Sequence, residues 1–331
     1  MSLLHTHEIP VTRIQLQFKV TQTIGLPEYA GSMLRGAFGG ALRQTACMTK
    51  QKTCTDCPLI QTCPYTQIFE KPAPQQHSLQ KFSHIPNGYI IEPPPWGERV
   101  YTRGDILTFQ MVLVGRIRSQ IALIIYAWQR AFERGIGYGT AELDRVIDLH
   151  NQTDLYQATN KTIQPIHQNN IRIPSLQQAE TDCVLHFYSP LRLQNNGRIR
   201  TQNQLDAATL LKAVARRAHL IFEFHTDQTL IEEFSHIQTE IEKVTAAEKN
   251  DDIQLKWRDW TRYSSRQKTT MQLGGLVGSW MLHNVSPEIY ELLQMGTYLH
   301  VGKETTFGLG GYQIVTPSPH TSNTYETKSP H

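Results

Sequence analysis

Two stretches of this chain run through the same order of periodic patterns, and that doubling limits the fold more than any other feature. From Arg13 to Val20 apolar residues alternate, with Ile14, Leu16, Phe18 and Val20 on one face of a half-buried strand. Pro27 and Gly31 then open a helical segment, Ser32 to Arg43. Tyr89 to Ile91 is a short β-rich run stopped by Pro93, Pro94 and Pro95, and Ile106 to Val114 is a second long strand. A helix from Ser119 to Arg134 buries Ile121, Ile124, Trp128 and Phe132. It ends in Gly135-Ile136-Gly137-Tyr138-Gly139, and a strand, Leu143 to Leu149, closes the first half.

The second half repeats the order: a strand region from Val184 to Leu193, a helix from Leu205 to Phe224, and two strands within Leu255 to Leu282 that join near Gly274-Gly275. Leu230 to Val244 reads as an inserted helix. Ser286-Pro287-Glu288 starts the last helix, since Ser caps, Pro suits the first turn and Glu complements the dipole. Gly302, Gly308, Gly310 and Gly311 precede a final strand, Tyr312 to Thr316. Each half is β-α-β-β-α-β, which predicts an α+β fold of two tandem ferredoxin-like domains. The first spans residues 8–150 and carries a Cys-rich loop insertion at 44–70; the second spans 181–316 and carries the glycine-rich loop. Residues 151–180, with six Gln and four Asn, read as a polar linker, and 317–331 as a disordered tail.

The chain has 331 residues, of which 39% are hydrophobic, enough for two cores. Its net charge of +3 excludes a partner bound by bulk charge and leaves room for a local patch. The longest apolar run, Ile121 to Trp128, is too short to span a bilayer, and no secretory signal is visible, so a cytoplasmic location is expected. Four of the five cysteines, Cys47, Cys54, Cys57 and Cys63, fall within 17 residues. In a reducing compartment that clustering favours a metal, with structural Zn²⁺ expected ahead of an iron–sulfur cluster.

Charge is concentrated in one place. Residues 255–270 hold Lys256, Arg258, Arg262, Arg266 and Lys268 against Asp259 alone, so the rest of the chain is near neutral. All five basic residues have even numbers and share one face of an extended strand. Trp257, Trp260 and Tyr263 interleave with them as platforms for unpaired bases, a pattern that predicts RNA contact. The loop from Gly302 to Gly311 combines backbone freedom with Lys303 and is expected to face a phosphate. Its spacing fits neither nucleotide-binding fingerprint, so ATP and NAD are not expected.

The run Leu299-His300-Val301-Gly302-Lys303-Glu304-Thr305-Thr306-Phe307-Gly308-Leu309-Gly310-Gly311-Tyr312 resembles the glycine-rich signature of the RAMP superfamily of CRISPR-associated proteins. Three more blocks resemble its branch that processes precursor CRISPR RNA. They are Arg35-Gly36-Ala37-Phe38 with the cysteines and Phe69-Glu70; Gly104-Asp105 with the following strand and Gly115; and the run from Trp257 to Gln267. The resemblance implies an endoribonuclease that cuts CRISPR repeat RNA by attack of a ribose 2′-hydroxyl, with no catalytic metal. It adds CRISPR effector subunits and a second copy of the chain as partners to consider. RNA contacts are then expected at Lys256, Arg258, Arg262, Tyr263, Arg266, Lys268, Gly302, Lys303, Gly308, Gly310 and Arg192.

Members of that family often place a histidine and a tyrosine in or just after the first helix. Here no histidine lies between His7 and His77. His300, His84 and Tyr29 are the candidate proton-transfer groups. The missing histidine also motivates the rival reading, a non-catalytic RNA-binding subunit of a CRISPR effector complex.

Overall fold

The computed structural model describes residues 8–72, 74, 85–166, 170–174, 176, 180–195, 197–227, 234–249, 251–264 and 269–315. In the first half these form β1 (Glu8–Ile9), β2 (Val11–Val20), β3 (Ile24–Leu26), α1 (Gly31–Ala46), α2 (Pro64–Phe69), β4 (Tyr89–Glu92), β5 (Arg99–Tyr101), β6 (Ile106–Val114), α3 (Ile121–Arg134), β7 (Ala141–Asp148), β8 (Thr153–Gln157) and β9 (Ile171–Arg172). The second half contributes β10 (Thr181–Leu191), β11 (Gln194–Asn195), β12 (Arg198–Ile199), α4 (Ala207–His225), α5 (Phe234–Ala247), β13 (Ile253–Ser264), β14 (Thr269–Val285), α6 (Pro287–Leu299) and β15 (Tyr312–Val315).

The alternation of β2 works as read. Ile14, Leu16, Phe18 and Val20 are buried, and β2 pairs antiparallel with both β6 and β7. The sheet runs β4-β6-β2-β7-β8, and α1 and α3 cover the face that carries Phe18 and Phe109. Aromatic rings lock the layers: Phe18 stacks on Phe132 at 3.8 Å between centroids, and Phe38 on Trp128 at 4.9 Å. The second sheet runs β13-β14-β10-β15 beneath α4 and α6. Asp206 caps α4 through the Thr209 amide, and Ser286 caps α6 ahead of Pro287. Counting only the four repeated strands, both sheets have the order second-third-first-fourth, the arrangement of a ferredoxin-like βαββαβ unit.

Two expectations are corrected. The segment read as a polar linker, 151–180, contains β8, which extends the first sheet, and β9, which pairs with β1 through Glu8↔Arg172 and Ile9↔Ile171. Leu155, Tyr156, Ile166, Ile171 and Ile173 are buried, but they are spaced too widely among Gln and Asn to show a period. Gly274-Gly275 are not a turn. They lie inside the 17-residue β14, and the chain reverses between Ser264 and Thr269. A Cβ on Gly274 would come within 2.3 Å of the Trp257 ring, and one on Gly275 within 2.7 Å of Pro190. These glycines mark close approach within a strand rather than a reversal. The tail, 317–331, lies outside the described residues.

The halves share a core. Ile90, Val112 and Val114 of the first sheet pack with residues of the second half, away from α1 and α3. At one end of this contact His225, the last residue of α4, donates from Nε2 to the Pro86 carbonyl at 2.7 Å. Its own carbonyl lies so close to Gly115 that a Cβ there would approach to 1.8 Å. Burial pushes the His225 pKa down to about 4. The unfolded chain therefore takes up a proton near pH 6.5 that the folded chain refuses until about 4. Stability from this site is fully present above 6.5 and falls as the pH drops toward 4. Between pH 7 and pH 5 the wild-type chain should lose about 2 kcal/mol more than His225→Asn, read from urea midpoints at the two pH values.

Candidate nucleic-acid interface at the domain junction

His300 sits where α6 ends, with φ at 55°, and is almost completely enclosed. Its Nδ1 lies 3.2 Å from the Leu309 carbonyl and its Nε2 3.1 Å from Glu92 Oε1, which belongs to the first half. Arg13 Nη2 donates to the same Glu92 oxygen at 3.0 Å and to the Thr297 carbonyl at 3.0 Å, and its guanidinium lies over Tyr298. Burial alone would raise the Glu92 pKa, but the His300 hydrogen bond and the Arg13 charge outweigh it and hold the carboxyl below its ordinary value. The Tyr188 hydroxyl stands 3.3 Å from His300 Nε2. His300, expected from the sequence as a base, is therefore the centre of a buried hydrogen-bonded link between the halves. Glu92, Arg13 and Tyr188 were not singled out by the sequence, where each is an ordinary polar residue at a strand position.

The glycine loop completes that link. Tyr29 donates to the Phe307 carbonyl at 2.8 Å, and its ring packs against Trp96 and Trp260 at 5.0 and 5.7 Å. Burial raises the Tyr29 pKa far above its ordinary value, so the hydroxyl keeps its proton as a structural donor. The expectation that the loop amides face a phosphate is corrected. Lys303 N–H donates to the Arg192 carbonyl at 2.9 Å, Gly308 N–H to Thr305 at 2.9 Å, and Gly310 N–H to Pro190 at 2.9 Å. Ser189 Oγ accepts from Gly311 N–H and donates to the Gly308 carbonyl, both at 2.7 Å. Gly308 and Gly310 are buried, Gly302 is half-buried, and only the Lys303 side chain is exposed. Arg192 is likewise internal: it binds Glu304 at 3.0 Å and the Gly274 carbonyl. These residues hold the junction together through internal contacts.

Outside the junction the basic strand reaches the surface. The β13–β14 register is unbroken from Ile253 to Ser264, so the positions of Lys256, Arg258 and Arg262 share one face. Lys256 and Arg258 are exposed. Arg258 lies 4.1 Å above Trp96 and 3.5 Å from Glu28, to which the Trp96 indole donates at 2.6 Å. Trp260, on the same face, is not a free platform: it packs with Tyr29, Leu273 and Leu309 in an aromatic cluster between the halves. Trp257 is 42% exposed, rests across Gly274 and donates to Asp259 Oδ1 at 2.8 Å. Arg262 and Tyr263 are placed in β13 by their backbone alone. Arg266, Lys268 and His84 lie outside the described residues.

Cys47, Cys54, Cys57 and Cys63 line one cavity with Thr49 and Tyr65, between α1 and α2. Among the described residues no group of three or more His, Cys, Asp or Glu side chains is already arranged to hold a metal ion. Cys183 is buried in the second core. No helix among the described residues is long and apolar enough to cross a membrane.

Residues 185–312, which carry the glycine loop, β13 and His300, match the family model of the CRISPR-associated endoribonuclease Cas6. This second half of the chain is thus similar to the Cas6 family. Residues 9–169 match a second family, AF_1859_N, described as an N-terminal domain. Solved Cas6 structures share the fold at low identity. A Cas6 product complex superposes with a TM-score of 0.55 at 13% identity, over 92% of this chain and 100% of that one. Thermus thermophilus Cas6 gives 0.50 at 12%, over 93% and 99%. A chain of a partial Cas6-RT-Cas1–Cas2 complex gives 0.57 at 14%, over 98% of this chain and 49% of that longer one. No curated protein matches in sequence.

Gly310 has φ at 72°, and a Cβ there would lie 1.8 Å from the Val301 carbonyl. Gly310→Ala should therefore destabilise the chain by at least about 1–3 kcal/mol, measured as a fall in the urea midpoint.

Proposed function

We propose that the chain is a CRISPR repeat endoribonuclease, cutting precursor CRISPR RNA by attack of a ribose 2′-hydroxyl on the adjacent phosphate. The observation that carries this reading is the exposed surface of β13, with Lys256 and Arg258 on one face of the strand and Trp257 on the other, in the half that matches the Cas6 family. Lys256 and Arg258 would hold phosphates and Trp257 would stack on an unpaired base. Attack by the 2′-hydroxyl needs a base, and a proton donor for the departing 5′-oxygen; the products are a 2′,3′-cyclic phosphate and a 5′-hydroxyl. His300 and Tyr29 serve the junction, so His84 is the base candidate that this reading puts to the test. The likeness to a chain of a Cas6-RT-Cas1–Cas2 complex supports CRISPR proteins as partners alongside the repeat RNA.

Cleavage of the cognate repeat should persist in EDTA and stop when the scissile nucleotide carries deoxyribose. Equal cutting of the deoxyribose substrate would eliminate the 2′-hydroxyl mechanism, and tight binding without any cutting would favour the RNA-binding subunit instead. His84→Ala should slow cleavage at least about 100-fold with binding retained.

The doubly substituted Lys256→Ala, Arg258→Ala chain should bind the repeat more weakly. The slope of log affinity against log salt should shrink by about 0.7 for each single-strand phosphate that the protein no longer neutralises. An unchanged slope would remove these residues from the RNA track.

A further inference from the structure

The cysteine loop is used neither by the junction nor by the basic strand, and its geometry has a chemistry of its own. Cys47 closes α1, with its amide donating to the Arg43 carbonyl at 2.8 Å. Cys63 stands immediately before α2, with Pro64 at that helix's first position. Two of the four thiols are thereby anchored at helix ends. The other two flank a tight turn, in which Cys57 N–H donates to the Cys54 carbonyl at 3.2 Å. Such a Cys-x-x-Cys turn aims both side chains to one side of the backbone. All four line the same cavity, and the Thr49 hydroxyl lies 3.5 Å from Cys57 Sγ and 3.9 Å from Cys47 Sγ.

From this arrangement we infer that Cys47, Cys54, Cys57 and Cys63 bind one Zn²⁺ that is structural rather than catalytic. The cavity encloses about the room of a single water molecule, enough for one ion among the four thiols. Residues 47–63 contain no helix or strand, and their hydrogen bonds are those of turns and single side chains, such as Ile60 N–H to the Cys57 carbonyl at 3.0 Å, so the segment gains order from a further link. Rotation of the thiols onto a common centre would supply that order. On binding, each thiol gives up its proton to solvent, and four thiolates around Zn²⁺ leave two net negative charges. Arg43, Lys50 and Lys52 line the adjoining cavity together with Cys47 and balance that charge. Four protein ligands close the coordination sphere, so the ion has no position for substrate.

The untagged full-length chain, purified without chelator, should contain about one zinc per chain by elemental analysis. Cys54→Ser with Cys57→Ser should lose it, while Cys183→Ser should keep it. Because the double variant risks misfolding, the wild-type chain stripped of metal is also titrated with Co²⁺. A tetrahedral thiolate site then shows intense visible absorption, which Zn²⁺ displaces at one equivalent. Absence of zinc together with no such absorption overturns the proposal. Iron with acid-labile sulfide in the purified chain would overturn it in favour of a cluster, and zinc retained by the double variant would assign the ion to other ligands. Chelation should also lower the melting temperature while leaving the deoxyribose sensitivity of cleavage unchanged, so this result stands apart from the RNA reading.

Discussion

The link Arg13–Glu92–His300 lies between two sheets, and the glycine loop starts from it, with His300 Nδ1 also bonded to the Leu309 carbonyl inside the loop. A carboxylate this deeply enclosed is unfavourable unless paired, and here it is held by a guanidinium on one side and an imidazole on the other. Glu92 and Arg13 come from the first half, His300 and the Thr297 carbonyl from the second. Removing Arg13 would leave the enclosed Glu92 carboxylate without its guanidinium, and the contacts of Arg13 with the Thr297 carbonyl and of Glu92 with His300 register the halves against each other alongside apolar area. The loop that follows His300 is pinned by backbone hydrogen bonds to Arg192 and Pro190. It runs against the backbone of Arg192, Ile91 and Val301, at distances where a side chain has no room.

That constraint explains the division of labour among residues of similar type. Arg192 and Arg258 are both cations near the same interface. Arg192 is turned inward onto Glu304 and a strand carbonyl, while Arg258 lies on the outer side of Trp96. Trp257 and Trp260 are three positions apart on one strand. An extended chain sends them to opposite faces, so one enters the aromatic cluster between the halves and the other stays at the surface. The face left for a ligand is what remains after the junction has taken its share of charged and aromatic side chains.

Much of the fold was legible because its signals are local. Alternation in β2, the apolar stripe of α3 and the Ser286 cap depend on neighbours within a turn or two of sequence. The pairing of β9 with β1 was not legible, since it joins residues more than 160 positions apart through only two residue pairs, Glu8↔Arg172 and Ile9↔Ile171. The glycines at 274 and 275 misled for a related reason: a glycine reads alike whether it makes a turn or makes room for a tryptophan packed across it.

By itself the sequence determined the doubled βαββαβ order, the concentration of positive charge on one strand and the clustering of four thiols, because periodicity, parity and spacing are properties of the chain in one dimension. Only the tertiary structure decided which of the glycines, arginines and aromatics face outward. His300, Tyr29, Arg192 and the loop amides became internal contacts, and Lys256, Arg258 and Trp257 stayed accessible. The physical reason is that burial of a polar group depends on whether a partner from the other half meets it. That meeting is set by how two sheets pack and is not written in any local pattern.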